Sequence, residues 1–278
     1  MISVIKFDGR RQDFQKEKIV RTCLRMHANH RQAIEIANKI ERKAYDGITT
    51  KEILRLIFSY LKEYRPEVKH QIDLREAISL LRPKPDFESF VQILLREIGY
   101  DVIPNQILRG RCVEHEIDGI AKKNDKTILV EVKHHLNHHA YTGIDVCLVA
   151  QARTEDLVDG FHSDSNKIKF DKIMIVCNTK FSDQAKQYAD CKDIELIGWR
   201  MPFDHGLEQI IEEKRLYPIT FLKGLDRETE EKLGNSGIVL LKQLIRFDAN
   251  ELRKVTGIQI KKLRNLVESA KDILSSNK

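Results

Sequence analysis

The chain has 278 residues, with 48 Lys and Arg against 42 Asp and Glu and a formal charge of +6 at pH 7. That length favours two domains and admits three small ones, and the mild basic excess permits nucleic-acid binding without requiring it. The five cysteines (Cys23, Cys112, Cys147, Cys177, Cys191) are scattered with no Cys-x-x-Cys pair, and no apolar run approaches the roughly 20 residues of a membrane span; a zinc knuckle, a disulfide scaffold and a membrane partner are excluded, and reduced thiols in a cytoplasmic protein are expected.

The first segment is placed at residues 1–82. A short strand over Ile2 to Phe7, the turn signal Asp8-Gly9 and a second strand near Arg11 to Phe14 predict a hairpin. Apolar spacing then predicts helices around Ile19 and Leu24, around Ala33, Ile36, Ala37 and Ile40, around Ile53, Ile57 and Leu61 with a Thr49 or Thr50 cap, and around Ile72, Ala77, Ile78 and Leu81. The stretch Arg82-Pro-Lys-Pro-Asp86 reads as a short linker, because two prolines stop a helix.

The middle segment, residues 86–218, alternates helix and strand. Helices are predicted at Phe87–Ile98, closing at Gly99, and at Ile144–Leu157, Ser182–Ala189 and Gly206–Glu213. Strands are predicted at Tyr100–Ile103, Arg111–Ala121, Thr127–Val132, Lys172–Val176 and Ile194–Ile197. This alternation gives an α/β fold with a mixed central sheet flanked by helices. Residues 220–278 hold short helices broken by Gly224, Gly234, Gly237 and Gly257, a small all-α domain.

The chemistry concentrates in Glu114-His-Glu116-Ile-Asp118-Gly119 and Lys126-Thr-Ile-Leu-Val-Glu131-Val-Lys133, joined by the polar turn Lys122 to Asp125. Side chains alternate along a strand, so Glu131 and Lys133 share a face, as do Glu116 and Asp118. If the hairpin register permits, Asp118 meets Glu131; with the Val132 carbonyl these make a hard-oxygen site suited to Mg²⁺ or Mn²⁺, and Lys133 stands beside it to orient water or stabilise phosphate charge. The plain alternative is a solvated salt bridge. Against it stands the apolar run Ile128-Leu-Val130 leading into two charges, since burying unpaired charge is costly. The four histidines at 134, 135, 138 and 139 are an exposed loop or, if helical, a face joining His135 and His139 that would suit zinc.

On these residues the segment resembles the PD-(D/E)xK nuclease superfamily, especially Mrr-type restriction endonuclease domains. The resemblance implies catalytic roles for Asp118, Glu131 and Lys133, metal ligation by Asp118 and Glu131, and an acid from the preceding helix at Glu88; Gln151 sits where relatives place a polar residue. Val4-Ile5-Lys6-Phe7-Asp8-Gly9, with Glu17-Lys18-Ile19 and Tyr45-Asp46-Gly47, resembles an ATP-cone. That implies ATP or another adenine nucleotide as effector, with Val4 and Ile5 toward the purine and Lys6 and Lys18 toward phosphates; Phe7 and Gln12 depart from the family pattern. The alternative is a small helical module without ligand, or one serving dimerisation.

Leu222-Lys-Gly224-Leu-Asp226 and Val255-Thr-Gly257-Ile-Gln259 resemble helix-hairpin-helix turns. The second implies DNA phosphate contacts helped by Lys261 and Lys262. From Glu251 to Lys278 seven basic residues face three acidic ones, an excess of +4; a protein-interaction role is the alternative. Together these readings predict a nucleotide-responsive, metal-dependent DNA endonuclease, with DNA and adenine nucleotide as partners and a homodimer left open. The competing reading is a non-catalytic, nucleotide-responsive DNA-binding regulator on a nuclease fold.

Overall fold

The computed structural model of the protein describes residues 2–275. The chain forms two compact units, one joining residues up to Ile72 with those from Arg264 onward, the other running from Asp73 to Leu263. Among the described residues no helix is long and apolar enough to cross a membrane.

In the first unit β1 (Ser3–Ile5) pairs antiparallel with β2 (Arg11–Asp13), and the Asp8-Gly9 turn closes them with Gly9 at φ +79, where a side chain would be strained. Then come α1 (Lys16–Arg25), α2 (His30–Lys43), β3 (Ile48–Thr49) and α3 (Thr50–Leu61). β3, unforeseen in the sequence, pairs parallel with β1. Capping boxes at Asn29/Gln32 and Thr49/Glu52 satisfy the first amides of α2 and α3. Ile19, Cys23, Ala33, Ile36, Ala37, Ile40, Ile57 and Leu61 form the core, matching the apolar spacing.

The second unit opens with α4 (Leu74–Leu80), a wide turn at Pro83–Phe87 and α5 (Glu88–Glu97). The sequence assigns α4 to the first segment, yet it packs here: Thr220 Oγ1 donates to the Ala77 carbonyl at 2.7 Å. The stretch read as a linker is built in, for Asp86 is 1% exposed and Arg82 grips it through two bonds of 2.6 and 2.8 Å.

Next come β4 (Asp101–Arg109), β5 (Glu114–Lys123), β6 (Lys126–Lys133), β7 (Tyr141–Thr142), α6 (Ile144–His162), β8 (Lys172–Cys177), β9 (Lys180–Phe181), α7 (Asp183–Cys191), β10 (Ile194–Ile197) and α8 (Leu207–Lys214). The main sheet runs β10-β8-β6-β5-β4; β4, β5 and β6 form an antiparallel meander, while β6, β8 and β10 are parallel. The fold is therefore the expected mixed α/β sheet with helices on it. β8, flanked by β10 and β6, is apolar and buried from Ile173 to Cys177, as a strand covered on both faces must be. Its Ile173 and Ile175 pack with Leu129 of β6 against Val146, Cys147, Ala150 and Leu157 of α6 and Ala185 and Ala189 of α7.

β4 outruns its prediction by six residues at its far end, because Pro104 and Asn105 break the apolar alternation without ending the pairing. A 3-10 turn at Ile219–Phe221 precedes the C-terminal helices α9 (Arg227–Asn235), α10 (Leu241–Leu244), α11 (Ala249–Thr256) and α12 (Ile260–Ser275).

Candidate active site

β5 and β6 pair from Lys123 opposite Lys126 to Gly119 opposite Val130. One step further the register sets Asp118 against Glu131, and there the strands part. β6 continues along β8 to Lys133 opposite Cys177, while β5 stays with β4, Ile117 opposite Gln106. The Val132 amide, released from β5, donates to Asp118 Oδ2 at 2.7 Å. The sheet thus opens a fork whose sides carry Asp118 and Glu131, one step past the Gly119–Val130 pair, which is the register that the sequence left open.

Three acids sit deep at this fork. Glu88, the first residue of α5, is 4% exposed and Asp118 9%, and the Glu131 side chain is 15% exposed. Burial pushes the Asp118 carboxyl above its ordinary value, reinforced by the charge of Glu88 and opposed by the Val132 amide and Lys84. Burial raises Glu131 too, with Arg153 opposing and Asp118 reinforcing. Both carboxylates are short of water and gain from a nearby cation.

The structure supplies two cations that sequence reasoning missed. Lys84 Nζ lies 3.1 Å from Glu88, 3.0 Å from Glu116 and 3.7 Å from Asp118. Those acids hold the Lys84 ammonium well above the usual lysine range, hydrogen bonding to Glu116 foremost. Arg153 of α6 bonds Glu131. The spacing of Lys84 four residues before Glu88 was a visible signal, hidden by the flanking prolines; nothing local marks Arg153. Asn105 of β4 donates to Glu88 Oε2 at 3.0 Å. Lys133 is exposed at the end of β6, close enough for its charge to act on Glu131. Gln151 points elsewhere, donating to Glu155 at 2.9 Å.

The donors here are carboxylate oxygens and peptide carbonyls, the chemistry Mg²⁺ prefers. Among the described residues no three His, Cys, Asp or Glu side chains form a ready cage; the oxygens that face each other are those of Asp118 and Glu131, which Lys84 and Arg153 engage here. The histidine run is not helical: the His134 ring reaches the Ile78 carbonyl at 3.2 Å and His135 reaches Thr142 Oγ1 at 3.1 Å, so no zinc face forms from His135 and His139.

In the first unit Lys6 is close enough for its charge to act on the exposed Lys18. Lys18 lies below its ordinary value through burial first, then the neighbouring charges of Lys6 and Arg21. Val4 sits in the central strand between Gln12 and Ile48 and is 8% exposed, Ile5 is partly buried and Phe7 is 69% exposed. In the second unit the Gly257 turn, at φ +68, joins α11 to α12, and Lys261 beyond it is exposed. Lys262 instead bonds Asp226, the residue that caps α9 by accepting from the Thr229 amide at 3.0 Å.

Three family profiles match the chain in order: the ATP cone domain over residues 2–80, the Mrr-type restriction endonuclease domain over 82–199, and the AF1548-like C-terminal domain over 217–274. A curated relative from Archaeoglobus fulgidus, described as an uncharacterized protein, is 36% identical over 181 residues, which is 65% of this chain and 98% of the relative. A crystal structure of AF1548, described as a protein of unknown function, is 35% identical, with 68% of this chain and 97% of that one covered and a TM-score of 0.59. Can2 from Sulfobacillus thermosulfidooxidans, solved in complex with cyclic tetra-adenylate, is 18% identical over 46% of this chain and 34% of its own, with a TM-score of 0.33.

Proposed function

We propose that this chain, which belongs to the AF1548-like family and joins an ATP-cone domain to a restriction endonuclease domain, is a Mg²⁺- or Mn²⁺-dependent DNA endonuclease modulated by an adenine nucleotide. Functional boundaries at 1–82, 86–218 and 220–278 go with this reading. The observation that carries it is the fork, where Asp118 and Glu131 oppose each other with Lys133 one strand period beyond. Asp118 and Glu131 would hold the ion, and when bound it supplies Lewis-acid polarisation and a more acidic water. Lys133 balances the charge that builds on the phosphate as water oxygen bonds to phosphorus and the bond to the leaving oxygen breaks. Glu88, held by Asn105, supplies the acid of the preceding helix and can keep Lys84 when the ion takes Asp118. Lys6 and Lys18 take the nucleotide phosphates in the first unit, and the Gly257 turn with Lys261 takes DNA backbone. The free cysteines suit a cytoplasmic setting.

Incubating the full chain with plasmid, linear and branched DNA, with and without Mg²⁺ and ATP, tests this. Cleavage that needs the metal and is lost in Asp118→Ala supports it, and undiminished cleavage by a folded Asp118→Ala protein sinks it. One observation favours the non-catalytic regulator instead, since Asp118 and Glu131 already have basic partners in Lys84 and Arg153. DNA binding without cleavage under Mg²⁺ and Mn²⁺ alike is the outcome that selects that reading.

A further inference from the structure

We propose that Arg75 and Lys180, backed by Arg200, form a phosphate-binding subsite beside the carboxylate fork, taking a backbone phosphate of the nucleic-acid substrate. The identity of that substrate rests on the endonuclease reading; the subsite itself does not. All three residues belong to the second unit.

Topology sets their place. Lys133 ends β6 opposite Cys177 of β8, and Ile197 ends β10 opposite Val176, so the three parallel strands finish at one edge of the sheet. The chain leaving β8 delivers Asn178, Thr179 and Lys180; the chain leaving β10 delivers Gly198, Trp199 and Arg200. The Trp199 amide donates to the Thr179 carbonyl at 2.8 Å and ties the two exits together. Crevices beyond the carboxyl ends of parallel strands are where open α/β sheets take ligands, and Glu131 and Lys133 lie on this same edge.

Arg75 enters from α4. Its guanidinium carbon sits 5.9 Å from the Trp199 ring centre, and its Nε is buried with no hydrogen-bond partner. A buried donor without a partner, as Arg75 Nε is here, is costly to keep.

Charges of both signs surround this pair, cations facing Lys180 and Asp73 lying nearest in effect to Arg75. Burial lowers Lys180, and the charges of Arg75, Arg200 and Lys186 lower it further, against Glu208. Burial lowers Arg75 as well, with Asp73, Glu208 and Tyr141 opposing and Arg200 adding to the shift. His138, from the histidine loop, is depressed by burial and then by Arg75. The two nearby acids have work elsewhere: Glu208 accepts from Arg200 at 2.6 Å, and Asp73 caps α4 by accepting the amides of Arg75 and Glu76 at 3.0 and 3.1 Å.

Arg200 is held at φ +95, a backbone state that glycine adopts far more easily. Such outliers gather at ligand sites. An arginine fork beside a lysine point charge matches the geometry and charge of a phosphate.

Trp199 is the single tryptophan of the chain, so its emission reports on this place alone. The test uses the full chain carrying Asp118→Ala, titrated with inorganic phosphate at constant ionic strength. The expected result is a saturable change in Trp199 emission. Affinity should fall at least about tenfold in Arg75→Ala/Lys180→Ala and less in Arg75→Lys, which keeps the charge and loses the fork. Thermal melts check that each variant folds.

A short DNA duplex should displace the phosphate; displacement by ATP but not by DNA makes the ligand a free nucleotide and overturns the strand assignment. No saturable response, or an unchanged one in a folded double variant, overturns the subsite. The titration reads emission alone, so loss of the nuclease reading leaves its result standing; cleavage by the wild-type chain in the separate plasmid assay, beside a silent Trp199 in this titration, condemns the subsite alone.

Discussion

The fork between β5 and β6 and the basic cluster of the first unit store binding energy with opposite signs. At the fork, buried carboxylates are raised above their ordinary values and draw cations from α6 and from the turn before α5. In the first unit, Lys18 is lowered by burial and by Lys6 and Arg21, and the acids nearby are satisfied locally, Asp8 by Arg10 and Glu52 by the Thr49 cap. One region is anionic and deep and is met by cations of the protein itself; the other is cationic and shallow, with its nearby acids engaged elsewhere. The contrast teaches that a buried charge must be answered within the fold, whereas a shallow one can be left to water.

The largest effect separating the two should come from Asp118→Ala. It removes a proposed metal oxygen and the acceptor of the Val132 amide together. Loss of a supporting residue at a metal site already costs about 10–100-fold, so loss of a ligand should exceed roughly 100-fold in cleavage. Nucleotide binding should not change; calorimetry with ATP and a plasmid assay on the same preparation check both halves. A matching loss of ATP affinity breaks the comparison.

Next in size is Lys84→Ala. The ammonium lies among Glu88, Glu116 and Asp118 and competes with any divalent ion for their charge. Its removal should tighten Mn²⁺ binding by about tenfold, about 1.4 kcal/mol, read by calorimetry without DNA. Weaker Mn²⁺ binding by the folded variant would show that Lys84 shapes the site for the ion.

The mirror experiment is Lys18→Ala. A hydrogen bond to a charged group is worth about 1.5–3 kcal/mol, so ATP affinity should fall about tenfold or more. Removing one of several like charges should leave the ligand-free melting temperature unchanged or higher. A destabilised apo protein would mean that Lys18 holds the fold and that the two regions are less alike than their mirrored charges imply.

Legibility followed geometry. The strand period placed Glu131 and Lys133 on one face because alternation along a strand is independent of what packs on it, while the register that brings Asp118 beside Glu131 had to come from the β5–β6 hairpin. The Asp8-Gly9 hairpin and the Gly99 helix end were legible for the same local reason, with Gly99 at φ +92. What stayed hidden depends on residues far apart in the chain. Arg153 looks like any polar residue of an amphipathic helix until α6 is laid against β6. Lys84 looked like linker because its prolines break a helix, yet Asp86 beside it is buried. The α4 pattern showed a helix with an apolar face but not which unit covers it, and Arg75 meets Trp199 only after β8 and β10 are in place.

The smallest effect concerns the third basic surface, where the sequence names Lys261 and Lys262 as a pair. The structure treats them differently: Lys262 bonds Asp226, the cap of α9, while Lys261 is exposed past the Gly257 turn. A lysine already paired with a carboxylate must give up that bond to meet a phosphate, so it releases little net counterion. Lys261→Ala should therefore flatten the salt slope of duplex binding by about 1 unit, and Lys262→Ala by clearly less. The difference shows as two straight lines of affinity against salt, measured on the full chain with the same duplex. Equal losses from both variants would mean that DNA breaks the Lys262–Asp226 pair. No change from either would remove this turn from the DNA surface and leave backbone contacts to the sheet edge, where Lys133, Lys180 and Arg200 share the carboxyl ends of the parallel strands.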